Sequence, residues 1–205
     1  MQRPELPPSG KATLVGIVGT AVALALGMAI PANESGRSVR AEVTTDGHLQ
    51  LTHLSGKQYL RAYLDVVNVA TACDGLTRYQ GKPIKVGDRF TEAQCVSMLE
   101  AELTETARGV MACSPGLALS SNLTSETMRQ GPRFAAVSLA YNVGVPTYCK
   151  STARARFNAG AYPQGCEAVT WYNRAGGVVS KGLSARRARE ANVCRNGLGV
   201  LYGRR

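Results

Sequence analysis

The sequence predicts an α+β protein: a small antiparallel β lobe over residues 51–90, then a mainly helical lobe over 91–205, with a hydrophobic helix ahead of both. Three observations carry this expectation. Residues 12–33 form a run of 22 residues without a charge, ATLVGIVGTAVALALGMAIPAN. Short β-branched and aromatic segments, Tyr63 to Val67 and Val69 to Ala72, break at Asn68 as the arms of a hairpin do. From Thr91 onward, apolar positions recur at steps of three and four.

The uncharged run follows Arg3 and Lys11 and precedes Glu34 and Arg37. A bilayer needs about 20 apolar residues, so its length suffices, but its glycines and alanines make it a weak anchor. Three readings fit: a signal peptide cleaved near residues 29–32, a permanent anchor, or a marginal anchor that enters the membrane and later leaves it. All three export the rest of the chain. The positive flank and the length disfavour a buried soluble helix. Residues 1–11 then read as a cytoplasmic tail, 12–32 as the membrane segment, and 33–50, polar and mixed in charge, as a linker.

Within the helical lobe, Thr91-Glu92-Ala93-Gln94 is a capping-box pattern, in which hydroxyl and amide satisfy orphan backbone N–H groups. Val96, Leu99, Leu103, Ala107 and Val110 form the buried stripe behind it. Pro132, after Gly131, is placed to open a second helix with Phe134, Val137, Ala140 and Tyr141 inward. Further helices are expected from Ser151 to Ala159, stopped by Gly160, from Gln164 to Tyr172, and from Leu183 to about Arg195.

At 205 residues the chain suits one domain with a tail, and its net charge of +10 suits a polyanionic partner. Aromatics are only 6% and are not interleaved with the basic residues, which argues against nucleic acid; a DNA-binding reading rests on the charge alone and requires salt-sensitive binding. Six cysteines without CxxC suit three disulfides in an oxidising compartment. No metal site or cofactor is expected, because GxxxxGK[ST], GxSxG, HExxH and GxGxxG are all absent. His48 and His53 have no orienting partner in the sequence and read as solvated or linker residues.

The informative stretch runs from Arg61 to Thr77, RAYLDVVNVATACDGLT. Asp65 and Thr71 lie six apart across the expected hairpin, where a carboxylate and a hydroxyl can converge on one water molecule. On local sequence alone, a turn-capping role for Asp65 stays open.

This stretch resembles the active-site hairpin of the phage-type lysozymes of glycoside hydrolase family 24, in outline E-G-x-x-x-x-A-Y-x-D-x-x-G-x-x-T-x-G/C-x-G-x-T. Asn68 stands where the family has Gly, and Asn also accepts left-handed backbone angles. Ala140 to Gly144, Ser151-Thr152 with Phe157 to Gly160, Trp171 to Gly177 and Gly182 to Glu190 resemble later family segments in the same order. Residues 12–32 resemble the releasable anchor of the signal-arrest-release endolysins in that family. The resemblance implies a lysozyme-like fold and cleavage of the β-1,4 bond between N-acetylmuramic acid and N-acetylglucosamine during host lysis. It also implies a monomer acting on peptidoglycan, first at the host inner membrane and then in the periplasm. The implied mechanism inverts: a Glu protonates the leaving oxygen, while Asp and Thr hold water on the opposite face, with carboxyls about 6.5–9.5 Å apart.

Asp65 and Thr71 match the Asp and Thr of the pattern. The Glu position, nine residues before Asp65, holds Gly56, or Ser55 if one residue is inserted, and neither donates a proton at neutral pH. The acid is therefore sought at Asp74, otherwise a solvated turn residue, or at Glu42 or Glu34, brought in from the linker by release of the anchor. The runner-up is a non-catalytic peptidoglycan-binding relative. By the same resemblance Tyr141 and Ser151 line the saccharide cleft, against core packing and helix capping as their ordinary roles. Arg186, Arg187 and Arg189 read either as contacts to anionic wall polymer or as a solvated helix face. Spacing along the chain suggests the pairs Cys73–Cys95, Cys149–Cys166 and Cys113–Cys194.

Overall fold

The computed structural model describes residues 12–65 and 68–201. The expected tail at 1–11, the end of the first hairpin arm at Val67 and the last residues of the expected helical lobe lie outside them. The first elements of the described residues are two helices, α1 (Leu14–Val18) and α2 (Thr20–Glu34). Thr13 caps the first, its hydroxyl accepting from the Gly16 N–H at 3.2 Å. Gly19, at φ 82°, separates the two and breaks the uncharged run. Leu14, Val18, Val22, Ala23, Ala25, Leu26 and Ile30 are all buried. In this structure the run is thus packed into the domain. None of the described helices is long and apolar enough to cross a membrane.

The expected linker is instead structured. After α2 come β1 (Ser38–Val43) and β2 (Leu49–Ser55), paired antiparallel from Val43↔Leu49 out to Ser38↔Ser55. Val39, Leu49 and Leu51 face inward while Ser38, Arg40 and Glu42 face out, the period of two that a half-buried hairpin requires. The polar outward half disguised the strand. Gly27 lets α2 press onto this hairpin: an added Cβ there would lie 3.2 Å from Leu51 Cδ2.

The β lobe continues with β3 (Tyr63–Leu64), β4 (Ala70–Thr71), β5 (Arg78–Tyr79) and β6 (Lys82–Pro83), which pair as two short hairpins. Then α3 (Glu92–Cys113) opens with the expected capping box, both Thr91 and Gln94 engaged. The next helix, α4 (Leu123–Val143), starts well before Pro132, with Asn122 as its cap. Pro132 lies inside it. Proline normally disrupts a helix interior, but here tertiary contact dominates: a Cβ on Gly131 would come within 2.6 Å of the Cys194 carbonyl. The missing side chain of Gly131 lets α4 meet the last helix backbone to backbone there.

The lobe closes with α5 (Val145–Cys149), α6 (Thr152–Asn158), α7 (Tyr162–Val169), the small hairpin β7 (Arg174–Ala175) and β8 (Val178–Val179), and α8 (Lys181–Asn196). Leu99, Leu103 and Val110 of α3 join Phe134, Val137 and Leu139 of α4 and Phe157 of α6 in the core. Buried beside them is Arg133, whose guanidinium donates to the carbonyls of Leu117, Ala118 and Val18 and pairs with Glu126 at 2.6 Å. It thereby satisfies the carbonyl end of α1.

Of the suggested disulfides, Cys73–Cys95 forms and joins the β lobe to α3. The other two are repartnered as Cys113–Cys149 and Cys166–Cys194, with Cα atoms 5.8 and 5.6 Å apart. The end of α3 meets α5, and α7 meets α8, a tertiary fact that spacing along the chain does not report.

Candidate active site

The β3–β4 hairpin builds one half of the site. Asp65 directly follows β3, its N–H donating to the Val69 carbonyl at 3.0 Å while Oδ1 accepts from the Val69 N–H at 2.8 Å. Asn68 takes φ 60°, the left-handed turn geometry anticipated for it. The register pairs Tyr63 with Thr71 and Leu64 with Ala70, so Asp65 and Thr71 share one face as diagonal neighbours, a relation that spans roughly 7–8 Å. Thr71 is buried, with its hydroxyl donating to the Val69 carbonyl at 3.1 Å.

The other half comes from the end of α2. Glu34 is its last residue, and Oε1 accepts from Arg186 Nη1 at 2.6 Å. Its other oxygen faces the loop after β4, where a Cβ on Gly75 would lie 3.6 Å away. Gly75 is also a wall of a cleft of about 510 Å³ between the β lobe and the helices, lined further by Thr77, Gln80, Met98, Glu102, Glu105 and Tyr141. Glu34 therefore borders this cleft at the β4 end.

The remaining sequence candidates separate cleanly. Asp74 is not a solvated turn residue: it is wholly buried and gripped by Arg37, Nε to Oδ1 at 2.7 Å and Nη2 to Oδ2 at 2.8 Å. Both its oxygens are thus occupied inside the protein, out of reach of a substrate. Glu42 points outward from the hairpin face opposite α2. Ser55 ends β2, and Gly56, at φ 91°, lies so close to Arg37 that a Cβ would come within 2.7 Å of the Arg37 Cα. Neither corresponds to the end of a helix facing the cleft. Tyr141 is in the cleft wall, its hydroxyl proton held tightly by burial and then by the negative charges of Glu34, Glu102 and Asp74, with Arg186 opposing. Ser151 is a buried cap for α6, accepting from the Arg154 N–H at 3.0 Å, and does not line the cleft.

Arg186 and Arg187 form neither a wall-polymer patch nor a solvated face. Both are buried and paired with Glu190, and Arg186 also with Glu34. Burial lowers the proton affinity of Arg187, against the pull of Glu190. Arg189 alone is exposed, donating to Asn33 Oδ1 at 3.1 Å. His48 gains a partner in Glu100 at 3.2 Å. Sequence reasoning missed Arg37, because its partners Asp74 and Glu92 lie 37 and 55 residues away.

A cleft between a small β lobe and a helical lobe, with the Glu34 carboxylate beside Gly75 of its wall and a nearby hairpin in the β lobe that sets Asp65 and Thr71 on one face, fits a glycan hydrolase of the lysozyme type. The chain belongs to the phage lysozyme family, whose model matches residues 55–190. It is 32% identical over 190 residues to the SAR-endolysin of Enterobacteria phage P21, covering 92% of this chain and 97% of that protein. Over 141 residues it is 35% identical to the SAR-endolysin of Bacteriophage PS119, covering 69% and 76% of the two chains. Among solved structures it resembles the endolysin from Escherichia coli O157:H7 phage FAHEc1, with TM-score 0.56 and 31% identity over 67% of this chain and 84% of that one. The active form of P1 phage endolysin Lyz shares the fold, with TM-score 0.63 and 19% identity over 90% of each chain. The family match begins at Ser55, the last residue of β2, whereas the likeness to the P21 protein spans most of the chain.

Proposed function

We propose that the chain hydrolyses the β-1,4 bond between N-acetylmuramic acid and N-acetylglucosamine in peptidoglycan with inversion, Glu34 acting as general acid. The observation that carries this reading is the position of Glu34 at the cleft edge, against Gly75 and Arg186. Glu34 and Asp65 are 31 residues apart, but residues 37–56 close on themselves where Gly56 touches Arg37. Without that insertion of 20 residues the spacing would be 11, near the nine of the family pattern. Glu34 thus takes the role for which Asp74, Glu42, Ser55 and Gly56 are unfit.

In the reaction, Glu34 protonates the glycosidic oxygen as the bond breaks. Asp65 takes a proton from a water that Thr71 helps to hold, and that water attacks the anomeric carbon from the opposite face. Tyr141 forms part of the glycan-facing wall. General-acid assistance of this kind is worth about 10²–10⁴ in rate.

The uncharged run gives the second half of the proposal. Glu34 follows it directly. With residues 12–32 in the host inner membrane, Glu34 stays at the bilayer surface, away from the hairpin. When the run leaves and docks as α1 and α2, Glu34 reaches the cleft and the periplasmic monomer becomes active.

Proton NMR of the first product tests the chemistry. Inversion of a β bond yields the α anomer first, whereas an initial β anomer or an inert protein contradicts the reading. Cell fractionation tests the topology: membrane-held protein is inactive and soluble protein active, and equal specific activity in both fractions counts against it.

A further inference from the structure

Around Glu34 lies a buried polar cluster that the reaction does not itself use. Asp74 Oδ1 is 2.7 Å from the Ser35 hydroxyl, which also lies 2.9 Å from the Pro31 carbonyl in the last turn of α2. Arg37 grips the same carboxylate through two nitrogens and reaches Glu92 Oε1 at 2.5 Å. Gln58 donates to the other Glu92 oxygen at 2.6 Å. Arg37 stands where the inserted hairpin leaves the end of α2, and Gln58 stands where it returns. Both ends of the insertion are therefore tied to the first turn of α3. Asp74 is itself fixed, because its neighbour Cys73 is bonded to Cys95 of α3 and donates its N–H to the Tyr59 carbonyl at 2.8 Å.

We infer that Asp74, acting through Ser35 and Arg37, is a positioning residue that holds Glu34 in register with Asp65 and Thr71 across the inserted hairpin. The inference rests on Glu34 being the general acid. A short connection between acid and hairpin limits their relative movement by covalent geometry alone, and the insertion relaxes that limit. The clamp restores it noncovalently. A bidentate guanidinium–carboxylate pair fixes direction as well as distance. The hydroxyl of Ser35, on the residue next to Glu34, transmits that fixed point to the acid. Asp74 also belongs to the loop that carries Gly75, so one carboxylate ties the α2 end to the cleft wall that Glu34 borders. A misplacement of about 1 Å at a reacting group costs up to about 10²-fold in rate, so such a link acts on kcat.

The test compares Ser35→Ala, Ser35→Thr, Asp74→Asn and Glu34→Gln in the full-length released protein on purified peptidoglycan, with rates normalised to the folded fraction. Ser35→Ala is expected to lower kcat about tenfold with KM within about twofold, and Ser35→Thr, which keeps the hydroxyl, to restore most of it. Asp74→Asn is expected to lower kcat by about 10- to 100-fold, again with little change in KM. Losses that only track the folded fraction, or a rise in KM at constant kcat, overturn the inference. If Glu34→Gln abolishes turnover while Ser35→Ala and Asp74→Asn keep full kcat per folded molecule, the clamp fails and the acid assignment stands. If Glu34→Gln retains activity, the acid assignment itself fails and the clamp with it.

Discussion

The two halves of the proposed active site are made in opposite ways. Asp65 and Thr71 occupy one short hairpin, six residues apart, and their shared face follows from strand pairing alone. Glu34 arrives on the end of an apolar helix and is held by Arg186, 152 residues further along the chain. The first half is a local feature that forms whenever the hairpin does. The second exists only when α1 and α2 are docked, so with Glu34 as the proposed acid, catalysis would depend on a segment whose composition also suits a membrane. On the proposed mechanism, that dependence makes activity follow the state of the N-terminal segment.

The comparison can be broken at several points. Asp65→Asn removes the local half and should lower kcat by about 10²–10⁴ while leaving the thermal transition nearly unchanged, as reducing-end release and calorimetry would show. Removing the Cys113–Cys149 disulfide by a double alanine substitution should cost about 2–4 kcal/mol of stability, with kcat of the folded protein unchanged, since the bond joins α3 to α5 away from both halves.

Other changes should act selectively on the docked half. The hydrogen bond and charge of Arg133 hold the Glu126 carboxyl below the usual carboxylate range, against a smaller opposing effect of burial. A carboxylate depressed by folding stabilises above its ordinary titration range and loses that contribution as pH falls through the folded value. Glu126→Gln should therefore destabilise by about 1.5–3 kcal/mol at neutral pH and flatten the acid side of the stability profile. Because Arg133 also binds the Val18 carbonyl, hydrogen exchange should rise in residues 14–34 before residues 63–71. Gly19→Ala tests the same separation with a smaller effect, about 1–3 kcal/mol, because φ is 82° there and an added Cβ would lie 3.3 Å from Leu119 Cδ2. Its activity should fade at a lower temperature than the global transition.

Local signals in the sequence were reliable where the structure depends on neighbours in the chain. The Thr91/Gln94 capping box and the left-handed Asn68 stand as read, and the expected hairpin forms with Asp65 and Thr71 on one face. Errors fell where tertiary packing decides. The polar face of β1 suggested a linker because the alternation that buries Val39 is short. Pro132 suggested a helix start, although the contact of Gly131 with α8 keeps a longer helix intact around it. Two disulfides were mispaired because helix ends remote in sequence meet in space. Glu34 was among three candidate acids, and what favours it is tertiary: its contacts with Gly75 and Arg186, and the neck at Arg37 and Gly56, a contact 19 residues apart, that shortens its path to Asp65.

The central claim is that the acid reaches the cleft from the docked N-terminal helix, and a panel of single carboxylate substitutions addresses it directly. Glu34→Gln and Glu42→Gln should be compared by initial reducing-end release from purified peptidoglycan at matched folded concentrations. Glu34→Gln is predicted to lose at least about 10² in kcat and Glu42→Gln to retain the wild-type rate. A Glu34→Gln protein within a few-fold of wild type, or a Glu42→Gln protein that is inactive while folded, would contradict it.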